Sequence, residues 1–303
     1  MRSPTLVRMP PALTHGDTIA VVSPASWSEP DHVDHTMAVI ESWDFRPRLG
    51  GHAHDRLGYL AGADEDRLAD LNEAIRDPDV RAIVSLRGGC GSSRLLHGVD
   101  VAALEADPKP LVGFSDITAL HRVWHQHHVP SLHAAVVGSH QHVVRDVLVG
   151  GTPPPVTTDP DQLGADLTTH GRASGPLFGG NLEMLARSVG VLELDLRGHV
   201  LLLEINRSAG LGHVDRALTQ LIMAGVLDGI VGVALGWLSG FEEHVDRGWT
   251  VIDVLRDRLG KLGVPVLAGL PFGHDPNPQV APLGVRCTID GDAGLATFSP
   301  ALE

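Results

Sequence analysis

Ser115, Glu204 and His274 are the side chains of this sequence whose types could together break an acyl bond. Ser115 stands in "KPLVGFSDITALH", where the apolar run from Pro110 to Phe114 reads as a buried strand and a helix begins at once after it. A serine at such a join is a favoured helix cap, because its hydroxyl accepts a bond from a backbone N–H. The same join is also the geometry of a nucleophile elbow at the top of a sheet. The G-x-S-x-G signature is half present: Gly113 lies two before Ser115, but Ile117 lies two after it. A nucleophilic serine needs a base, and the base needs an orienting acid. His274 lies in "LPFGHDPNP", a Gly- and Pro-bounded loop after the strand "VPVLAGL", where it could reach a strand-end rim or be an ordinary surface histidine. Glu204 closes the strand "HVLLLE". A carboxylate at the end of so apolar a strand must find a partner, whether a catalytic histidine or a structural ion pair with Arg207 or Arg216. The chain order Ser, Glu, His repeats that of one large class of serine hydrolases.

"RGGCGSSR" is the other distinctive stretch. Its glycines let the backbone approach a ligand and turn N–H groups inward. As a phosphate cradle it fits poorly, since Arg94 stands where the third glycine of a dinucleotide fingerprint would be. As an oxyanion hole it needs only one or two aimed N–H groups, and a tight structural turn remains the plain alternative. Cys90 could itself be a nucleophile, but no neighbour in sequence marks it as activated. The chain has eighteen histidines. His121 and His125 share a helix face, followed by His127 and His128, but "HRVWH" lacks the glutamate of a zinc-protease helix. They read as histidines on a solvated face, and His140 and His142 are read the same way, so no metal is expected.

The elements that must position these residues alternate. "TIAVVSP", "RAIVSL", "KPLVGF" and "PSLHAAVV" read as strands, with "DHVDHTMAVIESW", "DEDRLADLNEAIRDPDV" and "DITALHRVWHQHH" as intervening helices; Leu68, Leu71 and Ile75 show the helical spacing. The expected fold class is α/β, with a doubly wound parallel sheet in an N-terminal domain over 1–150. Ligands of such sheets sit outside the carboxyl ends of the strands, so the glycine loop and Ser115 should share one rim. Residues 151–175, rich in Gly, Pro, Thr and Asp, read as a linker. A smaller α/β domain over 176–303 follows, with "HVLLLE", "IVGVALGW", "VRCTID" and "LATFSP" as strands. The formal net charge of -14 argues against nucleic-acid or anionic-membrane partners. No apolar run has the length of a membrane span, and the N-terminal stretch lacks the apolar core of a signal peptide. Two cysteines and no export signal point to the reducing cytosol.

Several stretches resemble one family, the serine L,D-carboxypeptidases, which includes muramoyl-tetrapeptide carboxypeptidase and microcin-type self-immunity peptidases. The matching stretches are "GDTIAVVSPAS", "RAIVSLRGGCGSSRLL", "KPLVGFSDITALH", "LFGGNLEML", "DRALTQL" and "GLPFGHDPNPQVAPLG", in order from about residue 16 to 284. The resemblance implies a triad of Ser115, His274 and Glu204. It implies an oxyanion hole from the N–H groups of Gly89, or Gly88, and of Asp116. Arg87, Gly88 and Asn181 are the expected substrate-binding residues. It also implies no cofactor and a homodimer. The sequence departs from the family pattern at Cys90, where an aromatic residue is usual, at Ile205, where an acid often follows the triad glutamate, and at His133–Ala135, where the family has "HGP". An adenine-bearing substrate needs a stacking surface. The stretch from Gly150 to Gly175 holds no aromatic residue, and of the tryptophans only Trp27 and Trp237 fall near strand ends. A small peptide with a C-terminal D-residue is therefore preferred to a peptidyl or aminoacyl nucleotide. A small-ligand binding module without catalysis, or a nucleotide-dependent oxidoreductase, would be the readings of another class.

Overall fold

The computed structural model describes residues 7–303; residues 1–6, part of the N-terminal stretch read against an export signal, lie outside the described residues. The chain forms two compact units. One takes the chain up to Pro153 together with Val280–Gly284 and Pro300–Glu303, and the other takes Pro154–Gln279 and Val285–Ser299. In chain order the first stretch carries β1 (Thr18–Val22), α1 (Pro30–Ser42), β2 (Arg46–Leu49), α2 (Asp64–Arg76), β3 (Val80–Ser85) and α3 (Val101–Ala106). It continues with β4 (Leu111–Gly113), α4 (Thr118–Gln126), β5 (Ser131–His133) and α5 (Gln141–Leu148). The second stretch carries β6 (Val156–Thr157), β7 (Arg172–Asn181), α6 (Leu182–Arg187), β8 (Val200–Asn206), α7 (Leu211–Met223), β9 (Gly232–Ser239) and α8 (Val251–Leu259). It ends with β10 (Val266–Leu267), β11 (Ala281–Leu283), β12 (Arg286–Asp290) and β13 (Leu295–Phe298). Among the described residues, no helix is long and apolar enough to cross a membrane.

In the first unit the strands lie in the order β11-β5-β4-β3-β1-β2, all parallel except β11, which runs antiparallel to β5. This is the doubly wound order, with its switch point at β1 and β3. Near-continuous burial along β1, β3 and β4 means that both faces of the sheet are covered, as a parallel sheet requires. β2 escapes a reading by pattern because "RPRL" is polar and holds a proline, both of which an edge strand tolerates. β11, with Pro282, is the edge on the opposite side.

The second unit has one sheet in the order β10-β9-β8-β7-β12-β13-β6. β7 to β10 pair in parallel, and β12, β13 and β6 continue the sheet antiparallel. Leu201, Leu202 and Leu203 of β8 are wholly buried at its centre. Residues 151–175, expected as linker, hold β6 and the start of β7. The small and polar residues there form strand because β12 supplies the ladder, pairing Ala173 with Ile289 and Gly175 with Cys287. Such pairing overrides weak local propensity.

Candidate active site

Ser115 comes one residue after β4 and opens a single 3-10 turn, Ser115–Ile117, that leads into α4. Its φ is +63°, in the left-handed region that costs a residue bearing a Cβ about 1–2 kcal/mol. The helix-cap reading of this serine does not hold: the residue at the cap of α4 is Ile117, and that of the 3-10 turn is Phe114. The chain instead makes a strained strand-to-helix elbow, and the serine sits at its apex.

The glycine loop leaves the adjacent strand, β3, and lies against this elbow. A Cβ placed on Gly88 would come within 2.9 Å of the Ser115 Cβ and 3.1 Å of the Asp116 nitrogen, so only glycine lets the two backbones approach. Ser92 ties them together: its N–H donates to Asp116 Oδ2 at 2.9 Å and its hydroxyl donates to the Asp116 carbonyl at 2.7 Å. Burial pushes the Asp116 carboxyl above its usual range. Ser26, in the loop after β1, holds the other side. Its N–H donates to the Gly88 carbonyl at 3.2 Å, and its hydroxyl accepts from the Cys90 N–H at 3.1 Å. Beneath them the buried Arg67 donates to the Pro24 carbonyl at 2.5 Å. Ser26, Arg67 and Ser92 were not singled out from sequence. Their roles depend on which loops meet at the switch point, and no spacing records that.

In the second unit, Glu204 and His274 are brought together. His274 Nδ1 lies 2.8 Å from Glu204 Oε2, with the glutamate fully buried and the imidazole about a quarter exposed. A carboxylate only accepts, so Nδ1 carries the proton and Nε2 faces the other way. Burial works to lower the His274 pKa, but the hydrogen bond and charge of Glu204 overcome it, and the pKa is raised above the ordinary imidazole value. Gly273 makes the contact possible: its φ is +88°, and a Cβ there would fall 2.5 Å from Glu204 Cγ. The other carboxylate oxygen accepts from Asn181 Nδ2 at 3.0 Å. Asn181 and Glu204 are register partners on the parallel strands β7 and β8, which explains why their side chains meet. The same amide donates to Asn206 Oδ1 at 2.8 Å, and its oxygen accepts from the Met184 N–H at 3.3 Å at the start of α6. Asn181, expected against substrate, is thus turned onto the acid.

Arg87 donates to the Trp27 carbonyl at 3.2 Å, and the Arg56 guanidinium lies 3.9 Å over the Trp27 ring. Cys90 is exposed and Cys287 buried, and neither is in a disulfide. The expectation of solvated histidines on and after α4 is overturned for His121, while His125 and His127 are partly exposed and His128 is exposed. Residues 118–124 are all buried, since α4 packs on β4 and β5. His121 is fully buried, with Nε2 2.9 Å from the Gly113 carbonyl and Nδ1 2.9 Å from the Ser131 hydroxyl. Burial lowers its pKa to about 4, so the ring is neutral and braces the end of β4, two residues before Ser115. Among the described residues, only His52, Asp55 and Asp66 gather metal-ligand atoms, within 4.8 Å of one another. His52 is bonded to Asp55 at 3.0 Å, and all three are substantially exposed.

Comparison with known proteins assigns the chain to one family. The LD-carboxypeptidase N-terminal domain matches residues 19–134, and the LD-carboxypeptidase C-terminal domain matches residues 174–289. A Streptomyces coelicolor protein that bears a carboxypeptidase name is 36% identical, over 98% of this chain and 98% of its own. A probable murein peptide carboxypeptidase of Bacillus subtilis is 32% identical, over 93% of this chain and 91% of its own. Among solved structures, muramoyltetrapeptide carboxypeptidase from Oxalobacter formigenes superimposes with a TM-score of 0.78 at 26% identity, covering 93% of this chain and 97% of that one. The microcin C7 self-immunity protein, solved with aspartyl sulfamoyl adenosine, shares the fold with a TM-score of 0.82 at 22% identity, covering 97% and 99%. This chain belongs to the LD-carboxypeptidase family, and it is a carboxypeptidase of the serine class.

Proposed function

We propose that Ser115, His274 and Glu204 form the catalytic triad, and that the enzyme cuts the last amide bond of a small peptide ending in a D-residue, of the murein tetrapeptide kind. The observation that carries the reading is the Ser115 elbow, a left-handed residue between strand and helix that lies against the glycine loop. In this scheme His274 Nε2 takes the Ser115 proton as Oγ attacks the carbonyl. Glu204 holds the ring through Nδ1 and stabilises the imidazolium, while Asn181 fixes the glutamate. The N–H groups of Gly89, or Gly88, and Asp116 stabilise the oxyanion. Collapse breaks the C–N bond, His274 returns its proton to the leaving amine, and water then releases the acyl group from Ser115 by the same base. No step draws on a metal or an organic cofactor. Arg87 and Gly88 would contact substrate at the glycine loop.

Two free cysteines suit a cytosolic enzyme acting on peptides recovered from the wall. The working form is read as a homodimer, the commonest closed assembly; a stable monomer mass by light scattering at micromolar concentration would reject it. The test of function offers two substrates to the purified enzyme. Release of D-Ala from L-Ala–D-Glu–diaminopimelate–D-Ala is the expected result. Release of an amino acid from an aminoacyl adenylate mimic, with no D-Ala from the peptide, would reverse the assignment in favour of self-immunity.

A further inference from the structure

The glycine loop brings several backbone amides near the elbow, and the residue that chooses among them stands in another loop. Ser26, just after β1, grips the glycine loop at two points. Its N–H donates to the Gly88 carbonyl at 3.2 Å. Its hydroxyl accepts from the Cys90 N–H at 3.1 Å and turns its own proton toward the Cys90 carbonyl at 3.5 Å. A Cβ on Gly89 would fall 2.4 Å from that hydroxyl oxygen, so a glycine, here at φ +101°, is what lets the serine come so close.

These contacts fix peptide planes. In a trans peptide the C=O and the following N–H point in opposite directions. With the Gly88 carbonyl drawn to Ser26, the Gly89 N–H points away from Ser26. The elbow lies on that other side: the Cβ direction of Gly88 meets Ser115 and Asp116, whereas that of Gly89 meets Ser26. The Cys90 N–H is taken up by the Ser26 hydroxyl, and among the described residues the Gly89 N–H has no hydrogen-bond partner. Two consecutive glycines would otherwise leave this plane free to turn over, because glycine populates positive and negative φ alike.

We infer that Ser26 is a positioning residue of the oxyanion hole: it selects the Gly89 N–H as the donor of the loop and holds it toward Ser115. Ser26 acts through the glycine loop, not on the reacting atoms. Its own footing is fixed. The buried Arg67 donates to the Pro24 carbonyl at 2.5 Å and lies under Gly91, where a Cβ would come within 2.9 Å of its Nη1. The Ala61 N–H donates to the Ala25 carbonyl at 3.0 Å. A donor aimed in advance stabilises developing charge without reorganising when the charge appears.

The inference rests on Ser115 as the nucleophile, not on the identity of the peptide, and a small fluorophosphonate keeps the two apart. Ser115 Oγ displaces its fluoride, and the phosphoryl oxygen needs the same donors as an oxyanion. Mass spectrometry should place the label on Ser115 of the native enzyme. Ser26→Ala should slow labelling about tenfold, short of the hundredfold or so that loss of a whole donor costs. It should lower kcat for the D-Ala peptide by a similar factor with KM within about twofold, a split that a merely structural role would not give. Ser28→Ala is the control: it removes a hydroxyl of the same loop that has no hydrogen-bond partner among the described residues, and its rates should match the native ones. A native enzyme not labelled at Ser115 would overturn the triad and this inference with it. A labelled native enzyme with an equally fast Ser26→Ala, an equal slowing in Ser28→Ala, or a loss confined to KM would overturn the role of Ser26 alone. Failure to release D-Ala counts against the peptide, and the labelling rates then judge Ser26 by themselves.

Discussion

Ser115→Ala should lower kcat/KM by about a thousandfold or more, because no neighbouring group can replace the attacking oxygen. The fold should be nearly untouched. The hydroxyl is not the cap of α4, so the loss of about 1 kcal/mol that follows removal of a serine cap is not expected. The strain at φ +63° stays in the alanine variant, since alanine keeps the Cβ. Ser115→Gly removes it, and should be more stable than Ser115→Ala by about 1 kcal/mol while equally inactive. Thermal unfolding of the three proteins, beside turnover of the peptide, checks both statements. A well-folded Ser115→Ala enzyme that retains activity would falsify the covalent mechanism, and a glycine variant no more stable than alanine would remove the strain argument.

Glu204→Gln should cost about three to four orders of magnitude in kcat with little change in KM, the size of effect seen when a triad acid loses its charge. It should also move the pH profile. The base must be neutral to act, so activity falls as pH drops through the His274 pKa. Burial lowers that pKa, and Glu204 more than restores it, so the acid limb of the native enzyme lies above the ordinary imidazole value. With glutamine, burial remains and the raising partner is gone, so the residual activity should persist to lower pH. Glu183→Gln is the control. Its carboxylate is bonded to Arg187 and Ser208, so its loss should leave kcat within a few-fold. A large fall with Glu183→Gln and none with Glu204→Gln would identify a different acid.

The parallel strands of the first unit could be read from "TIAVVSP", "RAIVSL" and "KPLVGF", because a strand covered on both faces must be continuously apolar. β2 and β11 could not, since edge strands are free to carry Arg46, Pro47 and Pro282. The rim shared by the glycine loop and Ser115 follows from the rule that parallel strands end together, and β3 and β4 are neighbours. The meeting of Glu204 with His274 is a different matter. It depends on the β8–β9 pairing, on Gly273 and on a loop seventy residues away in the chain, none of which leaves a local pattern. Asn181 illustrates the limit: its type and motif mark it as important, while only the register shows that it faces the acid. His121 failed in the opposite direction, because a polar side chain on a short helix reads as solvated until the strands beneath the helix are known.

β11 sets an order on the making of this protein. Ala281–Leu283 completes the first sheet at β5, and Glu303 closes on the N-terminal segment, its carbonyl accepting from Ala12 at 2.6 Å and its N–H donating to Pro10 at 3.1 Å. Domains usually fold as they leave the ribosome, N-terminal part first. Here β5 keeps an open edge through the synthesis of some hundred and fifty further residues, counted from His133 to Ala281. An open strand edge is a template for pairing with another chain. The nascent protein thus passes through a long interval in which the unit that carries Ser115 lacks its last strand, and a chain cut short before residue 281 would never leave that state.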